Sequence, residues 1–134
     1  MLMSTPVIRF RIDFTPSAFL GPGKIDLLEA IRESGSLSQA ARNLGMSYRR
    51  AWLLVDSLKS SFREPVTLAS KGGKGGGGVT LTRFGEHLIS SYRAMESDIA
   101  GVAARRLQKI TPAVTERARA KPSASRRPLA RKSG

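Results

Sequence analysis

Residues Ser36 to Leu58 read SLSQAARNLGMSYRRAWLLVDSL, and their caps, glycine and apolar spacing define two consecutive helices. Ser36 and Gln39 have the spacing of a capping box, in which the Ser hydroxyl accepts from the Gln39 amide while the Gln side chain reaches back to the Ser36 N–H. A helix therefore starts at Leu37, and Ala40, Ala41 and Leu44 supply its buried face. Gly45 ends it in a turn that asks for positive φ, and Ser47 offers a fresh N-cap. The next helix, read over 48–62, carries Ala51, Leu54, Val55, Leu58 and Phe62 at i, i+3, i+4, i+7 and i+11, one continuous apolar stripe. Two helices joined by a tight glycine turn, with the small Ala41 where they touch, make a helix-turn-helix.

Upstream, residues 7–14 (VIRFRIDF) alternate strictly and predict a half-buried strand with Ile8, Phe10, Ile12 and Phe14 on one face. After Pro22-Gly23, the residues Ile25, Leu27, Leu28 and Ile31 follow helical spacing, and Gly35 closes a helix over about 24–34 as a left-handed cap. Downstream, Pro65 ends the third helix, and two β-prone runs, Val66 to Ala69 and Val79 to Thr82, flank SKGGKGGGG, which predicts a hairpin with a flexible, cationic tip. Thr82 caps a last helix, about 83–109, in which Leu88, Tyr92, Met95, Ile99 and Val102 recur at spacings of four and three. A helix of about 25 residues, about 38 Å, overhangs a domain this small, so these five residues are read as a dimer seam rather than core. The fold class is mainly α with a small β-hairpin (α+β): residues 1–110 form one winged domain with its long C-terminal helix.

Charge points to the partner. The 134 residues carry 23 Lys plus Arg against 10 Asp plus Glu, a net charge of +13, far beyond what solubility requires. Residues 111–134 hold 7 of the basic side chains and 1 acidic one, with three prolines and no aromatic residue, and are read as a disordered basic tail. The longest apolar run, Ala51 to Val55, is five residues, too short for a membrane span, and the N-terminus lacks a signal-peptide pattern, which places the chain in the cytoplasm at the nucleoid. With no cysteine and one histidine, His87, no disulfide, thiolate zinc site or metal cluster is expected, nor any cofactor. No nucleophile, base and acid share catalytic spacing, so an enzyme is not expected. Gly73 to Gly78 formally satisfies GxGxxG, yet it opens a strand where a dinucleotide fingerprint opens a helix.

On this frame the DNA-binding residues are Ser47, Tyr48, Arg49 and Arg50 at the start of the third helix, with Ser36, Ser38 and Gln39 at the start of the second. Arg49 or Arg50 has the fork for a bidentate contact with guanine, and Ser47 with the amide ends of both helices can hold phosphates. Lys71 and Lys74 at the hairpin tip would lie along the neighbouring groove or backbone; the alternative is a loop that touches nothing. Trp52 is expected in the core or between subunits, with facing DNA as the alternative.

The strings GSLSQAARNLGMSYRRAWLLVDSL and ASKGGKGGGGVTLTRFGEHLI resemble the N-terminal DNA-binding domain of the ModE family of molybdate-responsive transcription regulators, over roughly residues 24–100. The helix-turn-helix by itself also resembles the LysR family. The resemblance implies a winged helix-turn-helix that dimerises through flanking helices on a pseudo-palindromic operator, with Ser47, Tyr48 and Arg49 opening the recognition helix and Lys71 to Gly78 forming the wing. Family members continue into molybdate-binding modules, whereas this sequence runs from the long helix into its basic tail, so a DNA-binding-only relative, coupled at most to a separate effector-sensing protein, is expected.

The function these readings support is a homodimeric, sequence-specific regulator of double-stranded DNA, connected with molybdenum uptake or molybdoenzyme genes. Two alternatives stand beside it: a nucleoid-type architectural binder with little sequence preference, dominated by the basic tail, and a protein-interaction adaptor on the same fold.

Overall fold

The computed structural model describes residues 5–70 and 78–120. In chain order it has β1 (Ile12–Thr15), β2 (Ala18–Leu20), α1 (Pro22–Ser34), α2 (Leu37–Asn43), α3 (Tyr48–Ser61), β3 (Thr67–Ser70), β4 (Gly78–Leu81) and α4 (Arg83–Arg106). A 3-10 turn (Thr111–Ala113) and a short helix α5 (Glu116–Ala120) follow. Each strand pair is an antiparallel two-stranded ribbon. The mainly helical fold with a small hairpin and a long last helix is that of a winged helix-turn-helix.

The caps behave as local chemistry dictates. Ser36, Ser47 and Thr82 each accept a hydrogen bond from the amide three residues on, at 3.1, 3.0 and 2.9 Å, which satisfies one otherwise unpaired donor per helix. The capping box of α2 is only half formed: the Ser36 N–H donates to Ser34 Oγ, and the Gln39 side chain turns away, donating to Asn43 Oδ1 and accepting from Arg42. Gly35 caps α1 at φ +71°, and Gly45 takes φ +69° in the turn between α2 and α3, where a side chain would be strained.

Helix α1 is the spine, because its two buried faces belong to two apolar clusters. Ile25 and Leu28 pack with Leu20, Leu58, Val66, Leu88, Ile89 and Tyr92, while Leu27, Ala30 and Ile31 pack with Ala40, Ala41, Ala51 and Leu54 of the helix-turn-helix. Ala41 and Ala51 are almost wholly buried, so the close approach of α2 and α3 rests on the absence of larger side chains there. Across the α1–α4 contact, Arg93 donates to both oxygens of Glu29 (2.7 and 3.0 Å), to Asp26 (3.1 Å) and to Glu96 (2.8 Å). The bond from Arg93 holds the Glu29 carboxyl below its ordinary pKa, and the same carboxylates raise that of Arg93.

Three expectations need correction here. The alternating run 7–14 is a strand only from Ile12, and a register shift between Asp13 and Thr15 leaves Phe14 53% exposed against the edge of Phe62 instead of in the core. Leu88 and Tyr92 do not belong to a dimer seam: both are buried, and Tyr92 is fully enclosed, its hydroxyl donating to the Phe10 carbonyl at 2.7 Å and its ring stacked on Phe10 at 4.4 Å. The first turns of α4 lie on α1 and on the N-terminal segment, which uses up that end of the heptad stripe. Last, residues 111–120, expected in a disordered tail, are described as the 3-10 turn and α5; residues 121–134 lie outside the described residues.

Candidate nucleic-acid interface

Helix α3 has an inner side made by Ala51, Leu54 and Leu58 and an outer side made by Arg49, Trp52, Leu53 and Asp56. Tyr48 at its first position is 55% exposed. The Ser47 hydroxyl is occupied as an acceptor by the Arg50 amide, which leaves its proton free to donate outward. Ser36 and Ser38, at the start of α2, stand with their hydroxyl oxygens 3.3 Å apart. Gln39 is held by Asn43 and Arg42 within α2, so its amide is committed to its own helix.

The two arginines part company. Arg49 is exposed on the outer side of α3, whereas Arg50 is partly buried and its Nε is enclosed without a hydrogen-bond partner among the described residues. Between the two candidates for a guanine contact, the geometry favours Arg49. Trp52, expected in the core or between subunits, is 48% exposed on the outer side, and Leu53 beside it is 45% exposed. The apolar stripe alone marks the outer position of Trp52: it falls one residue after the buried Ala51 and two before the buried Leu54.

The base of the wing is tied to the helix-turn-helix. The Val79 amide donates to the Gly35 carbonyl at 3.0 Å, one residue before the α2 cap, and Val79 and Leu81 pack on the cluster under α2 and α3. At the other end of β4, Thr82 Oγ1 donates to the Pro65 carbonyl (2.7 Å), its amide donates to Val66 (3.0 Å), and the same oxygen caps α4. A Cβ on Gly85 would run into the Val66 carbonyl oxygen, so only glycine lets α4 leave the wing this closely. Lys71 and Lys74 lie outside the described residues.

Sequence reasoning missed one polar residue of the scaffold. Lys24 is 1% exposed; its ammonium donates to the Phe19 carbonyl (2.9 Å) and to Ser57 Oγ (2.8 Å) and sits 3.4 Å above the Phe19 ring. It thereby fastens α3 to the β1–β2 ribbon. Burial, with Arg11 nearby, pushes its pKa down from 10.5 to about 8.

Of the expected dimer seam, Met95 and Val102 are exposed and Ile99 partly so, on the half of α4 that extends beyond the α1 contact. Among the described residues there is no group of acidic, His or Cys side chains fit to hold a metal ion, and no helix long and apolar enough to cross a membrane.

The sequence pattern of the bacterial regulatory helix-turn-helix proteins of the lysR family matches residues 23–86. The chain is similar to the molybdenum-pterin-binding protein MopB of Rhodobacter capsulatus, 45% identical over 83 residues that cover 62% of this chain and 31% of that protein. It is also similar to the molybdenum transport protein ModE of Azotobacter vinelandii, 36% identical over 88 residues covering 66% and 33%. With the DNA-binding transcriptional dual regulator ModE of Escherichia coli (strain K12) it shares 42% identity over 74 residues, covering 55% and 28%. The matched region spans about a third of the length of these relatives.

Proposed function

We propose that this chain, whose residues 23–86 are a helix-turn-helix domain of the bacterial LysR regulatory kind, is a ModE-like regulator that binds double-stranded DNA in a sequence-specific way. The observation that carries the reading is the outer side of α3, where Arg49 is exposed at the N-terminal turn while Ala51, Leu54 and Leu58 on the inner side are buried. That turn enters the major groove, and Arg49 forks onto a guanine. Ser36, Ser38 and Ser47 bind phosphates through their hydroxyls, Tyr48 flanks the groove, and the wing, with Lys71 and Lys74, follows the adjoining backbone. Arg50 and Gln39 serve the packing of their helices. The net charge of +13 supplies the sequence-independent part of the affinity.

The distal half of α4, through Met95, Ile99 and Val102, pairs two copies, so that two recognition helices meet half-sites about one helical turn or a multiple of it apart. The names of the relatives supply the physiological direction: genes of molybdenum uptake or use. The test is enrichment of random duplexes by the purified protein at about 0.15 M salt, near physiological ionic strength. The expected result is a two-fold symmetric motif. Strong retention of DNA with no enriched motif would contradict specific binding and favour an architectural binder.

A further inference from the structure

The outer side of α3 is unusual for a surface on so basic a protein. Arg49, Trp52, Leu53 and Asp56 fall within an arc of about 100° of the helix, and the two in its middle turn are large apolar side chains left 48% and 45% exposed. Neither is needed by the core, which the opposite side of α3 fills through Ala51, Leu54 and Leu58. Single exposed apolar residues are ordinary, but two adjacent ones beside an exposed tyrosine, on the face that carries Arg49, form a patch with a purpose.

Resting on the reading of α3 as the recognition helix, we infer that Trp52 and Leu53 determine specificity by packing against the 5-methyl groups of thymine in the major groove. The thymine methyl is the one apolar feature that a base pair presents there. Trp52 lies about 6 Å along the helix from Tyr48, under two base-pair steps, so the turn that seats Arg49 on guanine brings Trp52 and Leu53 over the next pairs. Asp56 on the same arc repels phosphate and keeps this side of the helix on the floor of the groove instead of on the backbone. Charge complementarity selects DNA as the occupant over a protein: the net charge is +13, and Arg49 borders the patch.

The experiment takes the enriched duplex and replaces each thymine in turn by deoxyuridine, which deletes the methyl and leaves the pairing edge intact. Affinities are measured for the full chain and for Trp52→Ala and Leu53→Ala, whose exposed sites leave the core alone; thermal melting confirms that both fold. The expected result is a loss of about fourfold in wild-type affinity at one or two thymines per half-site, the effect of one apolar carbon group. At those thymines one of the two variants would lose the discrimination. Discrimination of thymine from uracil that persists in both variants, or no discrimination in the wild type, would overturn the inference while leaving sequence-specific binding through Arg49 intact. Failure to enrich any duplex would instead remove the DNA-reading role itself, and this inference with it.

Discussion

The hydroxyl of Tyr92 donates to the carbonyl of Phe10 at 2.7 Å, and the two rings stack with centroids 4.4 Å apart. This pair binds the N-terminal segment to the middle of α4 and divides that helix into a half packed on the domain and a half that extends beyond it. Tyr92→Phe, which removes the donor and keeps the ring, is expected to lower unfolding free energy by about 1 kcal/mol without changing oligomeric state. Val102→Glu should do the reverse, weakening self-association by charge repulsion while the fold stays intact. Denaturant unfolding and sedimentation on the two variants check this; dissociation caused by Tyr92→Phe without loss of stability would return Tyr92 to a seam.

Gly85 of α4 packs against the Val66 carbonyl just before β3 and against Leu81 of β4. Gly85→Ala places a methyl against the Val66 carbonyl, a backbone atom with no freedom to swing aside. The expected loss is about 1 to 3 kcal/mol, the range for overpacking a filled site, read as a fall in melting temperature. Gly101→Ala, in the same helix with nothing near its added methyl, should be neutral or stabilising by comparison.

Lys24 makes stability depend on alkaline pH. Below about pH 8 its amine is charged in the folded and the unfolded chain alike, and the burial penalty is present in full; above 10.5 it is neutral in both. Between those values the unfolded chain binds more protons, so this group makes stability rise with pH. Relative to Lys24→Met, the wild type should gain about 3 kcal/mol across that window, at 1.36 kcal/mol per pKa unit. Urea unfolding of both proteins at each end of the window checks this; a constant difference would mean the amine is not desolvated.

Glu29 acts at the acid end. Its folded pKa lies below 4.5 because Arg93 donates to its carboxylate, so its stabilising contribution is present above that value and is lost as pH falls through the lower folded value. Arg93→Met should bring the Glu29 carboxyl back up toward, or with burial above, its ordinary value, as followed by NMR titration. An unchanged titration would show that the ion cluster on α1 and α4 contributes nothing in solution.

What was legible in the sequence was local. Ser36, Ser47 and Thr82 announce helix starts because a cap is set by a residue and the amide three places on, and Gly45 marks the turn because few other residues tolerate its φ. The stripe of Ala51, Leu54 and Leu58 likewise carries its own periodicity. The heptad of α4 does not say which partner covers it, and the structure divides it, giving Leu88 and Tyr92 to the core and leaving Met95, Ile99 and Val102 outside. Strand β2 is three residues long, too short for an alternation to register. Lys24 was invisible because nothing in a sequence tells a lysine that will find Phe19 and Ser57 from one that will reach water. The outer position of Arg49 follows from that same stripe, opposite Ala51, Leu54 and Leu58, whereas the partial burial of Arg50, about 100° further round the helix, depends on what packs beside it and carries no sequence signal.

Whether α3 reads base sequence is decided by the affinities of the wild type and Arg49→Ala for the enriched site and for each of its single-base variants at fixed salt. Arg49→Ala should lose about 1 to 3 kcal/mol on the selected site and no longer distinguish the bases at one position per half-site. Lys74→Ala would weaken every duplex similarly and reduce the salt dependence. An equal loss for Arg49→Ala on all sequences, with the base preferences unchanged, would reduce Arg49 to a phosphate contact and rule out base reading through it.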